Sequence, residues 1–149
     1  MIRAFAVAIL VASGISVAVI VLPKTLARAC YSQEMSEVKT ITTVHTAEAQ
    51  YYLQYGNYAA TLTQLGPDGA NLIDKDLARG EKAGFKFVLR GTPEGYALGA
   101  GPLAFNACGG SHTYFSDQSM TIHQRNGEEP ATINDPLLGD PVPLHRQDN

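Results

Sequence analysis

Cys30 and Cys108 are the only cysteines in a chain of 149 residues. In an oxidising compartment an even count suggests a disulfide. Two free, buried thiols are the alternative. A redox-active pair is not indicated, because no Cys-x-x-Cys occurs. Pairing would require the two Cα atoms to come within about 7 Å. His112 and His123 would face each other if the chain turned tightly at Asp117-Gln118, but no third metal ligand is placed beside them, so both read as surface histidines. His45 reads as a helix-surface or hydrogen-bonded seam histidine rather than a base. Glu48 falls inside an apolar stripe, where it would pair with Lys or Arg at a packing edge or form an inter-subunit salt bridge. "SDQS" at 116–119 is accounted for by turn chemistry. A serine nucleophile would need a histidine held by a third group, and the pattern indicates none. No Gly-rich phosphate loop follows a strand, and "DGANLIDKD" at 68–76 lacks calcium-loop spacing. No catalytic residue, cofactor site, metal set or small-molecule substrate is therefore expected.

The elements that would position these residues follow from periodicity. Residues 4–22, AFAVAILVASGISVAVIVL, carry no charge and approach the ~20 residues needed to cross a bilayer as a helix. Arg3 precedes the run, and Lys24 and Arg28 follow it, so charge alone does not orient it. A cleaved signal peptide is the competing reading, with Ala27-Arg28-Ala29 before Cys30 and Pro23 upstream. The run exceeds a usual signal core, which favours a retained anchor, and either version exports the rest of the chain. Net charge is −3 with 11 Lys plus Arg and no basic patch, which argues against a nucleic-acid surface.

From Lys24 to Tyr55 no Gly or Pro interrupts. Ile41, Val44, Glu48, Tyr51 and Tyr55 recur at helical spacing and define one face. The simplest reading is a helix from about residue 3 to 55, bent near Pro23 and stopped by Gly56-Asn57. Tyr51 and Tyr55 would then bury large rings against a partner sheet. "AATLTQL" is a short helical turn and "GPDGA" a loop. "NLIDKDLARG" is a second short helix, with Asn71 as N-cap and Gly80 as its stop. "FKFVLR", "YALGAG", "HTYFS" and "MTIHQ" read as about four antiparallel strands. Residues 126–149 contain four Pro and no period, an irregular wrap or loose tail. The expected organisation is an N-terminal hydrophobic helix over 1–23, a globular domain over 24–125 and the Pro-rich tail over 126–149. The expected class is α+β: a long helix, half in the membrane and half amphipathic, packed on a small antiparallel sheet.

That order resembles type IV pilins and type II secretion pseudopilins. The likeness reaches local phrases: "TAEAQYYLQYGNYAATLTQLG", "LIDKDLARGEKAGFKFVL", "GYALGAGPL" and "TYFSDQSMTI" are similar to segments of acidobacterial-type pilin-like proteins. Together they cover roughly residues 38–136. The resemblance implies a non-enzymatic subunit of a type IV filament or a type II secretion-like apparatus. It would sit in the bacterial inner membrane through residues 4–22, with its C-terminal domain in the periplasm or outside, and would be secreted if the N-terminus is cleaved. Its implied partners are other pilin-like subunits or an assembly platform. The N-terminus departs from the family. Counted back from Pro23, the position of the family's glutamate holds Ala6, and no Gly precedes Phe5. A minor or non-polymerising subunit is therefore expected. The alternative is an exported, membrane-anchored or secreted binding module that reuses the fold.

Overall fold

The structure, a computed structural model, describes residues 35–92, 94–105 and 110–140. The apolar run 4–22, Cys30 and Cys108 lie outside the described residues. Among the described residues no helix is long and apolar enough to cross a membrane.

The first described element, α1, runs over 35–55. Ile41, Val44 and Ala47 are buried on its inner face, with Val38 and Tyr51 packed against the same core. Gly56 ends it as a left-handed cap: its φ is 73° and its N–H donates to the Tyr52 carbonyl at 2.8 Å. The expected stripe holds up to Glu48 and then fails. Tyr51 is only half-buried, and Tyr55 is 55% exposed. Residues 52–57 all face solvent, so the last turn of the helix finds no sheet beneath it. Tyr55 instead stacks on Tyr51 of its own helix, ring centroids 4.4 Å apart.

Two short helices follow, α2 at Leu62–Leu65 and α3 at Lys75–Ala78. They insert Leu62, Leu65 and Leu77 into the core. The N-cap of α3 is Asp74, whose carboxylate accepts from the N–H groups of Asp76 and Leu77 and also pairs with Lys82. Asn71, expected in that role, instead occupies a left-handed turn with φ 55°. An Asn fits either place, and the cap falls to the residue directly before the first helical turn.

The sheet is a five-stranded antiparallel meander in chain order: β1 Glu81–Lys82, β2 Phe85–Gly91, β3 Tyr96–Pro102, β4 His112–Asp117 and β5 Ile122–Asn126. β1 was not expected, since two residues carry no period. It is closed onto β2 by Ala83-Gly84, with φ 52° and 86°, a pair that matches the twist of a tight hairpin. Met120, expected in β5, belongs to the turn: its φ is 61°, which no strand accepts. The longer turn shifts the hairpin register. His112 pairs with Asn126, and His123 with Phe115, so the two histidines do not face each other.

Phe85, Phe87 and Leu89 of β2, Tyr96 and Leu98 of β3 and Tyr114 of β4 point toward the helices and form one core with them. Beyond β5 the chain wraps its free edge. Gln124 donates its N–H to the Pro136 carbonyl and Leu138 donates to Ile122, each at 2.8 Å. Arg125 holds the wrap through Asp135 and Glu129. The wrap covers an edge that would otherwise present unpaired backbone groups.

Candidate functional site

The helix–sheet seam gathers most of the buried polar side chains, and three of them form a continuous chain. Ser116 Oγ donates to the Thr121 carbonyl at 2.7 Å. That carbonyl can only accept, so the hydroxyl hydrogen is committed there. His45 Nε2–H must then donate to Ser116 Oγ, 2.9 Å away. Nδ1 is left as an acceptor, and the Tyr96 hydroxyl donates to it at 2.6 Å. All three residues are at most 4% exposed. Burial lowers the pKa of His45, partly offset by the nearby Asp117 charge, so the ring stays neutral and the tautomer is consistent. Burial, with Glu48, Tyr58 and Asp117 in the vicinity, pushes the Tyr96 phenol above its ordinary value.

A Ser–His pair raises the question of nucleophilic chemistry. The polarity here is opposite to that of an activated serine. A general base needs an unprotonated nitrogen facing the hydroxyl, whereas Nε2 carries its proton toward Ser116. The orienting group on Nδ1 is a donor phenol, not an accepting carboxylate. Two hydrogen bonds join α1 to β3 and to β4, a third ties Ser116 to the turn after β4, and each of the three side chains is satisfied.

One turn along α1, Glu48 is fully buried. Its Oε2 accepts the Ala59 N–H at 2.9 Å, and Oε1 has no partner among the described residues. Among the described residues no Lys or Arg pairs with it, and in place of the expected ion pair at the packing edge stands a bond to the loop after the helix. Burial raises its pKa to about 7, the Ala59 bond opposing part of the rise. The carboxyl is therefore largely neutral in mildly acidic conditions and increasingly charged above pH 7.

Of the predicted seam residues, Ile41, Val44 and Glu48 come together under the sheet, Tyr51 borders them and Tyr55 does not join. The pattern missed His45, Tyr96 and Ser116 as a unit. Ser116 closes the expected strand "HTYFS", although its chemistry reads as that of the adjoining turn; it lies in β4 two residues beyond the inward Tyr114. Strand alternation alone places its side chain inward. Among the described residues no cluster of three or more potential metal ligands occurs.

Fold and seam together define a class: a helix laid across an antiparallel meander and pinned by a buried polar chain. Comparison with protein-family models, curated proteins and solved structures finds no match.

Proposed function

We propose that the protein is a non-enzymatic, pilin-like subunit of a type IV filament or type II secretion-like apparatus, held in the bacterial inner membrane by residues 4–22. The observation that supports this reading is α1 itself. It follows the apolar run in the chain, presents one apolar face to a five-stranded meander and is fastened there by His45, Tyr96 and Ser116. A helix held that firmly can carry a load between a membrane segment and an exported domain.

Ala6 makes the subunit minor or non-polymerising. The resemblance places at this position a carboxylate that neutralises a neighbouring subunit's amine, and an unneutralised charge in an apolar filament core costs several kcal/mol. Intact mass and N-terminal sequencing of the native protein, with identification of co-purifying subunits, test the reading. A retained N-terminus and association with an assembly platform are expected, and processing by a prepilin peptidase would overturn the non-polymerising role. A soluble native protein beginning at Cys30 would overturn the anchor, and filaments built mainly from this chain would overturn the minor role. The second reading, an exported binding module, is favoured by the open outer face of the sheet.

A further inference from the structure

The face of the sheet turned away from the helix carries a trough of about 500 Å³. Its floor is β3, where Ala97, Gly99 and Gly101 alternate outward. One wall is β2, with Val88 between Lys86 and Arg90. The other is β4, with Phe115. The register sets these rows directly: Lys86 opposite Gly101, Val88 opposite Gly99, Arg90 opposite Ala97, and Gly99 opposite Phe115.

Gly99 is the residue that the fold does not explain. It lies in the middle of the central strand, where glycine weakens pairing and removes a side chain that could pack. Its φ is outside the left-handed region, and a Cβ built on it would meet nothing within 4 Å. Neither backbone conformation nor packing requires a glycine here. A glycine inside a strand without those reasons often marks a place where a ligand or another backbone comes close.

The lining also states a polarity. It holds two cations, Lys86 and Arg90, and one acid, Glu128, in a chain of net charge −3. Neither cation makes an ion pair among the described residues. Asp117 shares the outward side of β4 but does not line the trough, and its Oδ1 accepts the Ser119 N–H. The cations stand roughly 13 Å apart along the strand, with the apolar centre between them. A volume of this size with mostly apolar walls and a few placed charges is typical of small-molecule sites.

We infer that this trough binds a small amphipathic carboxylate, an aryl- or alkyl-substituted acid. Its apolar body lies over Gly99 against Phe115 and Val88, and its carboxylate is held by Arg90 or Lys86. The assignment goes beyond the assembly reading and is independent of it, since a ligand on the outer face leaves the helix seam untouched.

The test uses the full chain in lipid nanodiscs, with 4-phenylbutyrate as probe and saturation-transfer NMR as readout. 4-Phenylbutyramide serves as the neutral analogue and empty nanodiscs as the blank. Saturable binding of the acid is expected, with the amide at least tenfold weaker. Gly99→Leu fills the trough and should abolish binding while the thermal unfolding temperature stays at or above that of the unmodified protein. Phe115→Ala removes a wall without filling the floor and should weaken binding severalfold; it keeps the test decisive if Gly99→Leu folds poorly. The double variant Lys86→Gln/Arg90→Gln should erase the preference for acid over amide. Equal signals from empty nanodiscs, equal binding of acid and amide, or unchanged binding in a folded Gly99→Leu would each overturn the inference. So would a Gly99→Leu effect on self-association with no acid binding in the parent protein, which would assign the trough to a second copy.

Discussion

Strand β3 has two unlike surfaces. Toward the helices it presents Tyr96, Leu98 and Ala100, none more than 7% exposed. Toward solvent it presents Ala97, Gly99 and Gly101. The same seven-residue backbone thus supports a filled face and an empty one. On the filled face the side chains pack closely and the central polar chain is satisfied: Leu98 meets the core and Tyr96 donates to His45. On the empty face, Gly99 leaves open space above it. Stability is concentrated on one side of the sheet, which leaves the other side able to change without unfolding the domain.

The largest expected effect breaks the filled face. Leu98→Ala should cost about 2–5 kcal/mol, the range for truncating a buried leucine, read as a shift in the urea unfolding midpoint. A loss under about 1 kcal/mol would mean that the inner face is not the closed core described.

The next effect tests the charge buried on that face. The Glu48 carboxyl has a pKa of about 7 in the folded chain against an ordinary value of 4.5. Between these values the unfolded chain ionises first. The stability contributed by the neutral buried carboxyl is complete below pH 4.5 and is lost as pH rises to 7, by roughly 3 kcal/mol. His45 acts in the opposite sense. Its folded pKa is lowered from 6.5, so its contribution is complete above pH 6.5 and is lost as pH falls below it. The two slopes partly cancel in the parent protein. Glu48→Gln should therefore raise stability at pH 8 and uncover a decline below pH 6.5, seen in unfolding midpoints between pH 4.5 and 8. An unchanged profile would remove Glu48 from the seam.

Tyr96→Phe keeps the ring and deletes the donor to His45 Nδ1. The buried nitrogen loses its partner at a cost of about 1–3 kcal/mol, and the variant's unfolding midpoint should fall accordingly. On the empty face the sign reverses. Gly99→Val should leave stability unchanged or raise it by up to about 1 kcal/mol, because a β-branched residue suits a strand and glycine does not. A clear loss on chemical denaturation would show that the trough is occupied by neighbouring chain. The smallest effect is expected at the end of α1, where Tyr55→Ala should cost under about 0.5 kcal/mol because the ring is 55% exposed. A melting-temperature drop as large as that of Leu98→Ala would place the ring in a core after all.

Periodicity made the elements legible. The helical stripe of Ile41, Val44 and Glu48 lies on the sheet. Phe85, Phe87 and Leu89 alternate inward as "FKFVLR" requires, and Gly56 caps where expected. Those signals are local, being spacings within one element. The errors came where a second element decides the outcome. Helical spacing placed Tyr55 on the buried face, but burial also requires sheet beneath it. His112 and His123 depended on a hairpin register that one left-handed residue, Met120, displaced.

The sequence by itself determined an α+β chain: an amphipathic helix, then short strands set off by glycines and turns, because period and turn chemistry act within a few residues. Only the tertiary structure brought His45, Tyr96 and Ser116 into one chain of hydrogen bonds, since they are 51 and 71 residues distant from the histidine and no spacing relates them. It also decided that Glu48 binds the Ala59 N–H rather than a cation, and that β3 carries its small residues on an open face. Side-chain partnership across a fold depends on strand register and helix placement, and those are fixed by packing of the whole domain.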